Sequence, residues 1–323
     1  MSKPRIIVTR RWPARVEQRL EELFDARLNE EDRPLEAAEL RQAFATADAV
    51  LPTVSDRITA EVMDIDPLKA RLIGNFGVGF NHIDLAAAKA RGLAVTNTPD
   101  VLTDCTADLA MTLLFTVARR AGEGERHVRA GEWSGWRPTH MMGTKVTGKT
   151  LGLIGMGRIG KAVARRAHHG FGMKIVFYDA YPVPAEVLAS LGAESCSSIE
   201  DVLARADFVS LHCPGGDENR HLINAERLAI MQPHAILINT ARGDVVDEAA
   251  LAQALKSGEI AGAGLDVYEA EPKVSPELLG LENVVILPHL GSATEETRVA
   301  MGMRVIDNVT AFFAGETPPD LVA

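Results

Sequence analysis

Short runs of β-branched and other apolar residues alternate with helix-length amphipathic segments from the first residues of the chain. The apolar runs are RIIVTR (5–10), AVLPT (49–53), RLIGNFG (71–77) and AVTNT (94–98), and amphipathic segments lie between them at 13–24, 36–47 and 84–92. This alternation is typical of strand–helix–strand units and of a parallel sheet. Residues 1–98 therefore predict one small doubly wound α/β layer.

A long helical segment separates this series from a second one. The apolar spacing after Pro99 predicts a helix that begins near Asp104, capped by Thr103 or Asp104, and ends before the polar loop 133–148. The strands predicted after it are TLGLIG (150–155), KIVFYD (174–179), FVSLH (208–212), AILINT (235–240), GAGLDV (262–267) and VVILP (284–288). Strands in this number fit a dinucleotide-binding sheet.

The two series predict two domains, because a chain of 323 residues is long enough for about two hydrophobic cores. We predict an α/β protein with two doubly wound parallel-sheet domains. A Rossmann nucleotide-binding domain, residues 99–289, is inserted in a discontinuous, flavodoxin-like substrate domain, residues 1–98 and 290–323. Segment 294–316 predicts one long final helix, which must pack back on the first domain because its apolar positions need cover.

Composition and charge narrow the function classes. The chain is 46% hydrophobic and 24% charged, with a formal net charge of −10, as in ordinary globular proteins. That acidic balance disfavours nucleic acid and anionic membrane surfaces as partners, because both would repel it. The start, MSKPRIIVTRR, is too short and too quickly charged for a secretory signal, and no apolar run approaches membrane length, so we expect a cytoplasmic protein.

Cysteine and histidine usage gives no sign of a metal centre. The three cysteines, Cys105, Cys196 and Cys213, are widely spaced and form no CxxC pair, so we expect reduced thiols. The nine histidines form no short-spaced ligand pair with carboxylates or thiols, and no metal is expected.

A glycine loop predicts a dinucleotide site. Gly155, Gly157 and Gly160 form GxGxxG directly after an apolar strand and before the helical segment RIGKAVARRAHH. The next strand ends in Asp179, about 20 residues later, where an acid can accept hydrogen bonds from an adenosine ribose. A carboxylate there would repel a ribose phosphate, and no arginine follows it in Asp179–Ala180–Tyr181. NAD is therefore favoured over NADP, with NADH as the reduced form.

Three motifs downstream each end a predicted strand: NTARGDVVDE (239–248), AGLDVYEAEP (263–272) and PHLGSAT (288–294). In an open α/β sheet, ligands bind at the carboxyl ends of the strands. Reduction of a 2-oxo acid needs a cation for its carboxylate, a proton donor for its carbonyl oxygen, and a group that keeps that donor charged. Arg242, His289 and Glu271 are the matching residue types, and Glu271 would favour the imidazolium form of His289. Singly each could be structural, but three such turns on one sheet favour a catalytic site.

These motifs carry a resemblance to a known family. GVGFNHID, GLIGMGRIG, LHCP, INTARG, AGLDVYEAEP and PHLGSAT occur in the order and spacing of the D-isomer-specific 2-hydroxyacid dehydrogenase family. The sequence resembles that family over essentially its whole length, and its glyoxylate and hydroxypyruvate reductases most, through segments 101–110 and 131–143. The resemblance implies NAD(H)-dependent reduction of glyoxylate or hydroxypyruvate to glycolate or D-glycerate, with Arg242 on the carboxylate, His289 as acid/base and Glu271 as its partner.

The resemblance also implies further site residues. Val78 and Gly79 would bind the substrate carboxylate through their backbone, together with Arg242 and His289. The implied cofactor site comprises Thr106, Gly155, Gly157, Arg158, Ile159, Gly160, Asp179, His212, Pro214, Thr240, Ala241, Asp266 and Gly291. Asp266 would bind the nicotinamide carboxamide. Segment Gly215–Asn219 departs from the family pattern, where a run containing leucine and threonine is usual.

Two tryptophans in one polar loop could be core packing, but their surroundings favour self-association. Trp133 and Trp136 lie in a polar loop rich in glycine and proline, where two indoles indicate a contact surface. We expect a homodimer through residues 104–145, with Met141 and Met142 in the same arm, and the resemblance implies that this arm crosses to the partner.

Two other functions remain open from the sequence. A 3-phosphoglycerate dehydrogenase would need cations for a substrate phosphate and often carries a regulatory domain. The same fold also serves NADH-sensing corepressors, which act through peptide grooves and disordered tails. A small 2-oxo or 2-hydroxy acid is the partner that the residues favour.

Overall fold

The structure, a computed structural model, describes residues 3–323. The chain divides into two compact units. Unit 1 consists of the residues up to Leu102 together with Ala293–Ala323, and unit 2 consists of Thr103–Ser292.

Unit 1 is a five-stranded parallel sheet with helices in the connections. Its strands are β1 (Arg5–Val8), β2 (Asp25–Arg27), β3 (Ala49–Leu51), β4 (Leu72–Gly74) and β5 (Ala94–Thr96), and its first helices are α1 (Ala14–Leu23), α2 (Ala37–Thr46), α3 (Ala60–Met63) and α4 (Leu85–Ala90). The strand order is β2-β1-β3-β4-β5, which is the flavodoxin-like order. The predicted doubly wound layer is confirmed.

The C-terminal helix, Glu295–Ala314, covers one face of this sheet. It packs against α1 and β4. A Cβ atom at Gly302 would lie 2.5 Å from Val16 Cγ1, so only glycine lets the two helices approach this closely. Its buried Val305 and Val309 lie in one core cluster with Leu51 and Leu72. The prediction that the final helix packs on the first domain is confirmed.

Unit 2 is a seven-stranded parallel sheet. Its strands are β6 (Thr150–Ile154), β7 (Lys174–Tyr178), β8 (Ala193–Ser195), β9 (Phe208–Leu211), β10 (Ile236–Asn239), β11 (Gly262–Leu265) and β12 (Val284–Ile286). Its helices are α5 (Thr103–Ala118), α6 (Ala121–Arg129), α7 (Arg158–Arg165), α8 (Ala185–Leu191), α9 (Ile199–Arg205), α10 (Ala225–Leu228), α11 (Glu248–Ser257) and α12 (Pro276–Leu279), with a π-helical turn at Arg166–Gly170 and 3₁₀ turns at Asp217–Asn219 and Gly243–Val245.

The strand order is β12-β11-β10-β9-β6-β7-β8. From β6 the chain adds strands first on one side (β7, β8) and then on the other (β9 to β12), so the switch point lies between β6 and β9. This is the Rossmann arrangement, in which dinucleotides bind at the carboxyl ends of the strands beside that switch point. The predicted α/β fold with a Rossmann sheet is confirmed. Among the helices of residues 3–323, none has both the length and the apolar character needed to cross a membrane.

Two sequence expectations about unit 2 are wrong. The long helix expected after Pro99 is broken: α5 ends at Ala118, and Arg120 adopts a left-handed backbone with φ 51° before α6 begins. Gly122 and Gly124 in α6 weaken helix continuation, and Ala118 O instead accepts a hydrogen bond from Thr144 N. The sheet also has a seventh strand, β8, whose short polar sequence AES carries no apolar pattern.

Candidate active site

The glycine loop joins β6 to α7 at the switch point. Gly155 has φ 97°, and a Cβ at Gly160 would overlap the carbonyl oxygen of Gly155, so neither position accepts a side chain. Gly157 is the N-cap residue of α7 and has no side chain that could cap the helix. A Cβ atom added at Gly157 would meet no atom within 4 Å among the described residues. The space beside Gly157, at the start of α7, is therefore open, which suits a phosphate.

Asp179 follows β7 and is tied to the same loop. Its Oδ2 accepts a hydrogen bond from Met156 N at 2.6 Å, and its Oδ1 accepts one from Tyr181 N at 2.8 Å. The carboxylate is thus fixed beside the glycine loop, at the position predicted for the ribose acid.

His212 and its neighbours follow β9, the strand next to β6. Its Nε2 lies 2.9 Å from Ser210 Oγ, and burial lowers the pKa of His212 to about 4. Burial also raises the pKa of Cys213 to about 11, so the thiol stays protonated. His212 is therefore neutral at pH 7 and lines the switch point as an uncharged group. The divergent segment after Pro214 forms a short 3₁₀ turn, in which Asn219 Nδ2 donates to Pro214 O at 3.0 Å.

Arg242 stands in the turn after β10. The buried Asn239 holds this turn: its Oδ1 accepts from Ala241 N at 3.0 Å, and its Nδ2 donates to Arg242 O at 2.8 Å. A Cβ at Gly243 would overlap the backbone of Tyr268, so the Arg242 turn packs directly on the loop after β11. Only glycine permits that approach.

The Arg242 side chain is partly buried within unit 2. Its Nη1 donates to Ala241 O at 2.6 Å. Burial lowers the pKa of Arg242, while the negative charges of Glu271 and Asp244 oppose the decrease. The guanidinium keeps its charge, since arginine does not deprotonate in proteins.

Glu271 and His289 form the predicted pair. His289 Nδ1 lies 2.8 Å from Glu271 Oε2, and about a third of each side chain is exposed, 32% for His289 and 35% for Glu271. Burial alone would raise the pKa of Glu271, but hydrogen bonds from His289 and Tyr268 N and the charge of Arg242 outweigh it and lower the pKa of the carboxyl group. Glu271 is therefore ionised at neutral pH, and it leaves Nε2 of His289 as the nitrogen available to a substrate.

Asp266 shapes the turn that carries His289. Its carboxylate accepts hydrogen bonds from Leu290 N at 2.6 Å and Gly291 N at 2.8 Å, and its carbonyl accepts one from His289 N at 3.0 Å. These bonds hold His289 in a left-handed backbone with φ 55°, which costs a non-glycine residue of the order of 1 kcal/mol. Burial raises the pKa of Asp266. Thr106 Oγ1 donates to Gly291 O at 3.0 Å, which attaches α5 to the same turn.

The structure thus brings Arg242, Glu271 and His289 together at the carboxyl edge of one sheet, with the glycine loop, Asp179 and His212 along the same edge.

The other predicted site residues lie in both units. Arg158 and Ile159 open α7, and Thr240 and Ala241 follow β10. Val78 and Gly79 belong to unit 1, in the loop after β4.

The residues that support these turns are not evident from the sequence. Besides Asn239, Glu248 and Glu269 exchange hydrogen bonds: Glu269 N donates to Glu248 Oε1 at 2.6 Å, and Glu248 N donates to Glu269 Oε1 at 3.0 Å. Glu269 Oε2 also lies 3.0 Å from His221 Nε2. The signal for Asn239 was a polar residue at the end of an apolar strand, whereas nothing in the sequence pairs Glu248 with Glu269.

Comparison with known proteins identifies the protein family. Residues 111–291 match the family described as D-isomer specific 2-hydroxyacid dehydrogenase, NAD binding domain, and the chain belongs to this family. The glyoxylate reductase of Thermococcus kodakarensis is 47% identical over 324 aligned positions, which cover 99% of this chain and 96% of that protein.

Two solved structures are similar to this chain over nearly its whole length. The TT0316 protein of Thermus thermophilus superposes with a TM-score of 0.90 at 43% identity, covering 99% of this chain and 100% of that one. The NADPH-dependent glyoxylate/hydroxypyruvate reductase of Sinorhizobium meliloti, solved with NADP and malonate, gives a TM-score of 0.88 at 37% identity, with 100% and 97% coverage. The predicted family membership is confirmed.

Proposed function

We propose that this protein reduces glyoxylate or hydroxypyruvate to the D-2-hydroxy acid, with NADH as the reductant. The observation that carries the proposal is the His289–Glu271 pair, which stands with Arg242 at the carboxyl edge of a dinucleotide-binding sheet. Relatives named glyoxylate reductase at 47% identity support the substrate class.

The residues at the switch point fit a nicotinamide dinucleotide. The open space at Gly157 and the buried Thr240 Oγ1, which has no hydrogen-bond partner among residues 3–323, both leave room for a polar ligand. The residues that would hold it are Thr106, Gly155, Gly157, Arg158, Ile159, Gly160, Asp179, His212, Pro214, Thr240, Ala241, Asp266 and Gly291. When bound, the reduced cofactor supplies the hydride.

The side chains supply binding and the proton. Arg242 binds the substrate carboxylate in a two-pronged hydrogen bond. Among the residues of unit 1, the Val78 and Gly79 N–H groups are the proposed donors to a carboxylate. His289 Nε2 gives its proton to the carbonyl oxygen as negative charge develops there. Glu271 accepts the Nδ1 hydrogen bond, which orients the ring and leaves Nε2 for the substrate.

Replacing Glu271 by Gln should slow reduction at neutral pH. Glu271 is ionised there, because hydrogen bonds from His289 and Tyr268 N and the charge of Arg242 lower the pKa of its carboxyl group. An uncharged amide holds the His289 ring with a weaker hydrogen bond, so kcat should fall by roughly 10-fold. The measurement is kcat of both proteins, with the exposed Glu277→Gln as control. An unchanged kcat would show that Glu271 does not act on His289.

Cofactor preference should follow Asp179. Its carboxylate beside the glycine loop would repel the 2′-phosphate of NADPH, so we expect a higher kcat/KM with NADH. The Sinorhizobium relative is NADPH-dependent, so coenzyme preference differs within the family if this chain prefers NADH. Steady-state kinetics with both coenzymes test it, and equal constants or an NADPH preference would refute the charge argument.

We also propose a homodimer through residues 104–145. The side chains of Val128, Trp133, Trp136 and Met142 are exposed in this segment, with 83% of Trp136 accessible. Large apolar side chains clustered on one segment mark a contact surface.

Sedimentation at micromolar concentration should give twice the chain mass of 34.8 kDa. Trp136→Ser should weaken the dimer and the equally exposed Tyr181→Ser should not, whereas a native monomer would contradict the proposal.

A substrate panel tests the proposed reaction. Glyoxylate, hydroxypyruvate, pyruvate and 3-phosphohydroxypyruvate should be compared with NADH, and the first two should give the highest kcat/KM. Small acids differ by groups worth only about 1–3 kcal/mol in a pocket, so their relative order must be measured. A clear preference for 3-phosphohydroxypyruvate would instead indicate a phosphoglycerate dehydrogenase, and no turnover of any of them would refute the reaction.

A further inference from the structure

Two asparagine side chains hold the loop that follows β4 in unit 1. Asn75 Nδ2 donates to the carbonyl oxygens of Gly77 and Gly79, both at 3.0 Å, and Asn97 Nδ2 donates to Val78 O at 2.8 Å. Thr98 N also donates to Gly77 O, at 3.1 Å. Three consecutive carbonyl groups of the loop are therefore directed at side-chain amides.

Peptide geometry then fixes the opposite side of the loop. In a trans peptide the N–H points away from the preceding carbonyl, so the Val78 and Gly79 N–H groups point away from the asparagines. Within residues 3–323, neither N–H has a hydrogen-bond acceptor. The loop thus offers two adjacent donors to an external acceptor, and adjacent backbone N–H groups are suited to an anion.

The orientation of Asn75 is itself fixed. Its side chain is fully buried, and Oδ1 lies 3.0 Å from His82 Nε2, which leaves both Nδ2 hydrogens for the two loop carbonyls. Its backbone N–H donates to Thr96 O at 3.0 Å, which ties it to β5. An aspartate would only accept hydrogen bonds here, and an apolar side chain would leave both carbonyls without this donor.

We infer that Asn75 and Asn97 are positioning residues for substrate binding: they hold the loop so that the Val78 and Gly79 N–H groups meet the carboxylate of a small 2-oxo acid. This inference rests on the proposed function, which assigns the two N–H groups to the carboxylate. Neither asparagine touches the substrate. Their effect should therefore fall on carboxylate binding and leave the dinucleotide affinity unchanged, because the residues that would hold the dinucleotide all belong to unit 2.

The test uses oxamate, a small carboxylate with an adjacent carbonyl, titrated by calorimetry into the full chain saturated with NADH. Asn97→Ala removes one donor from a partly buried position and should weaken oxamate binding roughly 10- to 100-fold, the range for a misaligned hydrogen bond to a charged group. Asn75→Ala removes two donors and should weaken it more. If Asn75→Ala fails to fold, Asn97→Ala carries the test. The exposed Asn81→Ala, in the same loop, is the control and should bind like the native protein.

A positioning role also predicts which kinetic constants change. The KM for glyoxylate should rise in Asn97→Ala more than kcat falls, while the NADH dissociation constant and the Tm stay near native. Native-like oxamate binding by a folded Asn97→Ala would overturn the inference even if the native enzyme reduces glyoxylate, and so would a native protein that binds no oxamate. If the native protein reduces no 2-oxo acid yet binds oxamate, and Asn97→Ala weakens that binding, the reaction is wrong and the inference stands.

Discussion

Replacing His289 by Ala is expected to lower kcat for the reduction of a 2-oxo acid by roughly 10²- to 10⁴-fold, the usual range for losing a general acid. The physical reason is that Nδ1 is bound to Glu271 and only Nε2 remains to protonate the carbonyl oxygen. Single-turnover and steady-state rates with saturating NADH measure the loss. NADH binding should stay near native, because the substitution leaves the glycine loop and Asp179 intact.

The matched control is His169→Ala, an exposed histidine at the end of the helical segment after the glycine loop. It should be fully active. His212 is the competing proton donor, but its pKa of about 4 leaves it uncharged at neutral pH. If His289→Ala kept near-native turnover while His212→Ala did not, the proton donor would be His212 and the assignment would be wrong.

Replacing Arg242 by Ala should lower kcat/KM by roughly 10³-fold, comparable to the loss of a preorganised donor at a developing charge. The substitution removes the guanidinium whose positive charge acts on Glu271. Both constants should change: KM should rise because the carboxylate loses its cation, and kcat should fall because the substrate is no longer held for attack.

Arg242→Lys separates charge from geometry. Lysine keeps the positive charge but cannot make a two-pronged hydrogen bond, so kcat/KM should fall by roughly 10- to 10²-fold, with a raised KM. Substrate-saturation curves at fixed NADH measure both variants. Native KM values in Arg242→Ala would exclude this residue from carboxylate binding.

Long apolar patterns made most of the fold predictable. The strand runs at 150–155 and 174–179 and the final helix at 295–314 carry strong periodicity, and the structure has elements at each. The strands β2 and β8 have only polar or short sequences, DAR and AES, because they lie at sheet edges where little apolar surface is buried. At the helix break, Ala118 O accepts a hydrogen bond from Thr144 N, a contact distant in sequence that the apolar spacing does not reveal.

Some features of the site could also be predicted from the local sequence, and others could not. The glycine loop and Asp179 were predictable because strand, turn, helix and acid follow one another locally. The His289–Glu271 hydrogen bond joins turns after two different strands, and only the sheet order brings them together. The supporting bonds of Asp266 and the Glu248–Glu269 pair depend on backbone paths that no residue pattern specifies.

The configuration of the product tests the proposed reaction most directly. Hydroxypyruvate should be reduced with NADH, and the glycerate formed should be separated on a chiral phase and compared with the NADH consumed. D-glycerate alone is expected, one molecule for each NADH oxidised. L-glycerate, a racemic product, or NADH oxidation without glycerate would contradict the proposed reaction.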